Sequence, residues 1–233
     1  MKKILAAAAA LVVLPAQAGD FSALGSLSQE EFRRVSEDLG AAFSYKGVTP
    51  AKRLGPVGID VGVEITQTQL ENSALFAKAG AGDPGDLLVP KLHVNAGFFA
   101  GLDIGAFIGG SSELEATVFG MDLRYAILED TLTTPAVAMR LSGTRTNGME
   151  VRVGTLAADV MVSKTLTMVT PYAGAGIARV QAKPHGGTLG EETFNKGRFF
   201  GGVNLNLGVV NFCVEAEKMG DNSSYSAKVG FRF

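Results

Sequence analysis

The last ten residues, Ser224 to Phe233, alternate without a break. Tyr225, Ala227, Val229, Phe231 and Phe233 fall on one side of an extended strand, and Ser224, Ser226, Lys228, Gly230 and Arg232 on the other. Successive side chains of a strand point to opposite faces, so the stretch predicts one apolar and one polar face. A strand is never stable alone. Whatever pairs with this one must be two-sided as well.

Two-sided segments fill the chain from residue 57 onward. Val57, Ile59, Val61, Val63 and Ile65 oppose Gly58, Asp60, Gly62, Glu64 and Thr66. Leu88, Leu92, Val94, Ala96 and Phe98 oppose Lys91, His93, Asn95 and Gly97. Leu102, Ile104, Ala106 and Ile108 oppose Asp103 and Gly105; Phe119, Met121, Leu123, Tyr125 and Ile127 oppose Asp122 and Arg124. Val137, Met139 and Leu141 oppose Ala138, Arg140 and Ser142. Residues 151–163 break phase, because Val151 and Val153 share one parity and Leu156, Ala158, Val160 and Val162 the other. A bulge near Gly154, or a strand start beyond the membrane, reconciles them. Later segments set Phe199, Val203, Leu205 and Leu207 against Arg198, Asn204 and Asn206, and Phe212, Val214 and Ala216 against Cys213, Glu215 and Glu217.

This makes about ten strands, each long enough for the about 9–11 residues that a tilted membrane-spanning strand needs. The connections sort by parity. Loops 69–86, 109–112, 145–150, 181–196 and 220–223 form one set, and turns 99–101, 129–133, 164–167 and 209–211 the other. Both long loops fall in the first set, as they do in membrane barrels with short turns on one side. An even strand number brings the two ends of the sheet to the short-turn side. Adding 42–45 and one further strand gives twelve; merging two segments gives eight.

The N-terminal stretch reads differently. Lys2 and Lys3, the apolar run 4–14 and Ala16-Gln17-Ala18 have the layout of a secretory signal peptide, residues 1–18. Residues 19–54 form a helix and connector. Ser28 and Glu31 make a capping box, Leu27 and Phe32 a staple, and Phe32, Val35, Leu39 and Phe43 a stripe at helical spacing. These predict an amphipathic helix over residues 29–39. Three places would bury its stripe: the barrel lumen, the periplasmic rim or the inner-leaflet interface.

The terminal Phe, with apolar residues at alternate positions before it, resembles the C-terminal assembly signal of Gram-negative outer-membrane β-barrels. The resemblance covers the signal peptide, the alternation and Tyr225, Val229, Phe231 and Phe233. It implies an all-β, antiparallel up-and-down barrel over residues 55–233, handled by the barrel-assembly machinery and seated in outer-membrane lipid, with both termini periplasmic. Lipid offers no hydrogen bonds, so the last strand must close onto the first, near residues 57–65. Aromatic girdles must come from Phe98, Phe99, Phe119, Tyr125, Tyr172, Phe199, Tyr225 and Phe233, since the chain has no tryptophan.

The inward set then carries Asp60, Glu64, Lys91, His93, Asp103, Asp122, Arg124, Arg140, Asp159, Arg198, Glu215, Glu217, Lys228 and Arg232. Either these pair and fill a narrow barrel, or they line a path for small solutes. Lys228 and Arg232 are expected to balance Glu215 and Glu217 across neighbouring strands. A surface-binding protein working through its external loops is the alternative, and an outer-membrane enzyme the third reading. The two histidines, His93 and His185, stand far apart in sequence, and no nucleophile motif, metal set or cofactor motif is readable. The net charge of −2 and the absence of a basic run with interleaved aromatics argue against nucleic acid. A single cysteine, Cys213, forms no disulfide within the chain.

Overall fold

A computed structural model describes residues 21–233. The signal peptide read at residues 1–18 lies outside the described residues. Ten antiparallel strands follow one another: β1 (Ile59–Gln69), β2 (Asp86–Gly97), β3 (Leu102–Ser111), β4 (Ala116–Leu128), β5 (Ala136–Asn147), β6 (Val151–Ser163), β7 (Val169–Pro184), β8 (Glu192–Leu207), β9 (Val210–Met219) and β10 (Asn222–Arg232). Each pairs with its neighbours in sequence, and β1 closes on β10, so the sheet has no free edge. At the seam Asp60 faces Arg232 and Glu64 faces Lys228. Twelve and eight strands are thereby excluded.

Alternation sets the two faces. Ile65, Leu92, Val94, Phe119, Met121, Leu141, Val160, Phe212 and Phe231 stand exposed on the outer wall, while Glu64, His93, Asp122, Arg140 and Asp159 are buried inside. Of the expected girdle aromatics Tyr172 is the exception: it points inward and is buried.

Several expectations are corrected. β6 holds one phase throughout, with Val151, Val153, Thr155, Ala157 and Asp159 all inward and no bulge at Gly154. Val151 and Val153 are apolar because the interior at that end is apolar. Among the described residues the ladder slips between Ala126 and Leu128 instead. The expected loop 181–196 shrinks to residues 185–191, since β7 and β8 run beyond the apolar band, with Arg179, Gln181 and Lys183 and with Thr193 and Asn195 on their outer faces at the loop end. Loop 69–86 contains a helix, α2 (Ser73–Lys78), and residues 109–111 belong to β3. Residues 42–45 form no strand.

The remaining helix, α1 (Gln29–Phe43), carries the capping box, with Ser28 Oγ accepting from Glu31 N and Glu31 accepting from Ser28 N. It runs one turn past the expected end at residue 39. It lies inside the barrel rather than on the rim or in the leaflet. Phe32, Val35 and Leu39 pack against Val151, Val153, Val180 and Phe194 from the wall. Eight strands are just filled by their own side chains. Ten leave room, and here residues 21–58 take it.

The threading has a direction. Near the long loops, Gly190 N donates to Gln29 Oε1 at 2.8 Å and Lys78 Nζ to Glu31 at 2.7 Å. At the far end, Lys52 N donates to Ser163 Oγ at 3.1 Å and Leu54 N to Asp103 Oδ2 at 3.0 Å. Ile59 N then donates to Phe233 O at 3.0 Å. Phe21 and Phe233 therefore stand at opposite ends of the barrel. Even strand parity brings β1 and β10 together, but the threaded segment adds one more crossing.

Candidate functional site: the charged interior

All fourteen charged or ionisable positions read from the sequence sit on the inner face, and every one but Arg232 is buried. Strand pairing gathers them into four groups, three of them joined to the threaded segment.

The first lies at the seam. Asp60 accepts from Lys228 Nζ at 2.9 Å, from Arg232 Nη2 at 2.8 Å and from Asn211 Nδ2 at 3.1 Å. The expected pairing of Lys228 and Arg232 with Glu215 and Glu217 is not made. On β9 the residue opposite Lys228 is Cys213, and Glu215 faces Ser226, so the nearest carboxylate lies across the seam on β1.

The second is on β1 and β2. Glu64 accepts from Lys91 Nζ at 2.7 Å and from Thr66 Oγ1 at 2.6 Å, and His93 Nε2 lies 2.7 Å from its other oxygen. His93 stacks on Phe107 at 5.1 Å, and Lys91 Nζ sits 5.2 Å over the same ring. Tyr45, from the threaded segment, closes this cluster with its ring 5.4 Å from Phe107.

The third fills the middle. Asp159 lies 2.9 Å from Arg140 and 3.5 Å from Arg198, and Glu217 pairs with both Arg198 and Lys46. Lys46 Nζ also donates to Ala41 O at 2.6 Å, and Arg198 Nη2 to Tyr45 O at 2.8 Å. Arg140 and Arg198 both stand over the Phe200 ring, at 4.8 and 5.5 Å. Glu215 accepts from Tyr172 Oη at 2.8 Å, beside Cys213 Sγ. The fourth group ends the path: Arg124 donates to Asp103 at 2.5 Å and to Pro50 O at 2.9 Å, and Tyr45 Oη to Asp122 at 2.5 Å.

Sequence reasoning did not include Tyr45 and Lys46. Yet the wall's acids, Asp60, Glu64, Asp103, Asp122, Asp159, Glu215 and Glu217, exceed its permanent cations, Lys91, Arg124, Arg140, Arg198, Lys228 and Arg232, by one. Lys46 answers Glu217, while Asp38 of the same segment, equally buried, is held by Asn72 and Asn222. Every residue from Asp38 to Ala51 is buried. A buried charge left without its partner is costly, so these groups hold the segment as firmly as they hold each other.

The histidines remain apart. His93 is locked to Glu64 inside, while His185 lies at the long-loop end, its backbone N–H donating to Glu150 O at 2.8 Å. Ser111 donates to Glu113 instead of approaching His185. Among the described residues no three His, Cys, Asp or Glu side chains are grouped to hold a metal ion.

No protein-family model matches the chain, and no curated protein matches it in sequence. Solved outer-membrane barrels are similar in architecture. The N-terminal β-barrel domain of Pseudomonas aeruginosa OprF aligns over 77% of this chain and 99% of its own at 12% identity and a TM-score of 0.42. The translocator domain of autotransporter NalP from Neisseria meningitidis covers 88% and 94% at 11% identity and 0.43. LpxR from Salmonella typhimurium covers 73% and 99% at 12% identity and 0.41. The fold class is that of a closed, ten-stranded antiparallel barrel with an interior segment.

Proposed function

We propose that this is an outer-membrane barrel held shut by its own N-terminal segment, a structural wall-spanning protein rather than an open channel. The carrying observation is the Lys46–Glu217 pair at the centre of the lumen, with Arg140, Arg198 and Tyr45 packed around it. Support for the membrane comes from the outer wall, where exposed apolar side chains alternate with buried charges around a sheet that has no edge. Tyr225, Val229, Phe231 and Phe233 stand outward on the closing strand, where lipid and the assembly machinery can reach them. Small solutes pass only if residues 21–58 leave. The long-loop end then faces outward and the short turns the periplasm.

Planar-bilayer recording tests this. The full-length protein should be silent, and deletion of residues 21–54 should yield stable conductance steps. Steady conductance by the full-length protein, equal to that of the deletion, would show that the segment closes nothing. Outer-membrane fractionation with a heat-dependent gel shift tests the placement.

A further inference from the structure

Among the described residues most Lys and Arg side chains have a carboxylate or carbonyl partner, and most of the exceptions cluster. Among the described residues, Lys52, Arg145, Arg152, Arg179 and Lys183 are the Lys and Arg side chains that neither pair with a carboxylate nor donate a hydrogen bond. Four of them stand together on the outer face of β5, β6 and β7. Arg152 lies directly opposite Lys183, Arg145 opposite Gly154, and Arg179 opposite Leu156. Like charges facing each other on one side of a sheet destabilise it. Arg152 Nε is in addition buried with no acceptor. A pocket of about 270 Å³ opens between Arg145, Arg152 and Lys183, floored by Gly154. Its one carboxylate, Glu191, is engaged by Gln181 Nε2.

The height of this patch matters as much as its charge. On β5 the outward order is Met139, Leu141, Gly143, Arg145; on β6 it is Val160, Ala158, Leu156, Gly154, Arg152. On β7, Ile177 is followed outward by Arg179, Gln181 and Lys183. The cations thus begin where the apolar wall ends, on the long-loop side. Directly below them an apolar groove of about 370 Å³ runs between Met121, Leu123, Leu141 and Leu156, with Gly143 leaving its floor open. A cationic cradle above an apolar trough fits one amphipathic anion.

We infer that Arg145, Arg152 and Lys183 bind the phosphate groups of a lipid A-class glycolipid in the loop-side leaflet, its acyl chain lying in the Leu141–Leu156 groove. This rests on the outer-membrane reading, with the long loops outward. Guanidinium groups bind phosphate through paired N–H donors. Each cation near an anionic surface contributes about five-fold in affinity, so the three together contribute about a hundred-fold.

The experiment is native mass spectrometry of the full-length protein released from detergent micelles containing diphosphoryl lipid A. Wild type should retain the lipid, the triple variant Arg145→Gln/Arg152→Gln/Lys183→Gln should lose about a hundred-fold in retention, and Lys52→Gln should match wild type. Pyrophosphate, which lacks acyl chains, should bind far more weakly. Equal retention by a triple variant that still shows the heat-dependent gel shift overturns the site alone. Pyrophosphate binding as tight as lipid A reassigns the patch to free anions and overturns the lipid. A wild type with no gel shift defeats the barrel reading, and this proposal falls with it.

Discussion

Asp60 does at one residue what the seam needs done for the sheet. It is 1% exposed and receives Lys228, Arg232 and Asn211 across the β1–β10 joint. Asp60→Asn leaves Lys228, also 1% exposed, with its direct counter-ion gone. Breaking a buried pair in this way costs about 3–5 kcal/mol. The temperature of the gel shift should fall sharply, and an unchanged temperature would mean that the seam is held by its ladder alone. Glu31 works in a partly exposed setting at the long-loop end. The hydrogen bond from Lys78, aided by the Ser28 N–H, holds its carboxyl below the usual carboxylate range. A depressed carboxylate stabilises above its unfolded value and ceases to as pH falls through the folded one. Wild type should therefore exceed Glu31→Gln in unfolding midpoint at neutral pH, and the gap should close below the ordinary carboxylate range. A gap independent of pH would assign the effect to the cap rather than to the ion pair.

The helix is the element where sequence and structure part most instructively. Its start was legible in Ser28 and Glu31, and its stripe in Phe32, Val35, Leu39 and Phe43, because capping and helical spacing are local. Its berth was not. The wall residues that receive it, Val151, Val153, Val180, Ala182 and Phe194, are apolar and inward, so a rule of polar inside and apolar outside misreads them as a phase break or as loop. The same rule worked for the fourteen inward charges, each set by strand parity alone. Their partners depended on register, which sets Arg232 opposite Asp60 and Lys228 opposite Glu64 on β1, with Lys228 reaching diagonally to Asp60, so neither base meets Glu215 or Glu217. The exit of the segment is tighter than its entry. A Cβ on Gly97 would stand 2.1 Å from Gly55 O and 3.0 Å from Leu54 Cβ. Backbone must move to admit it, and forced overpacking costs about 1–3 kcal/mol. Gly97→Ala should loosen residues 52–58, read as faster amide exchange there, while α1 keeps its protection. Unchanged exchange at the exit would show that the segment is held from the loop end only.

At the scale of the molecule, one extra crossing decides which segments lie at the same end of the barrel. Ten strands return β10 beside β1, and Phe233 N donates to Ile59 O at 2.8 Å. The threaded segment carries Phe21 to the other end, where Ala23 N donates to Ala79 O at 2.9 Å below α2. A barrel so built places residues 21–28 among its long loops, with Phe21, Leu24 and Leu27 buried there. Site-specific labelling separates the ends cleanly, because Cys213 is 1% exposed and gives little background. Thr188 lies at the long-loop end and Leu132, fully exposed, at the short-turn end. With a membrane-impermeant maleimide on intact cells, Thr188→Cys and Ala23→Cys should label, and Leu132→Cys only after permeabilisation. The reverse pattern would invert the barrel in its membrane. Labelling of Ala23→Cys in step with Leu132→Cys would mean that the segment does not traverse the lumen, and Glu217 would then have lost its Lys46 partner.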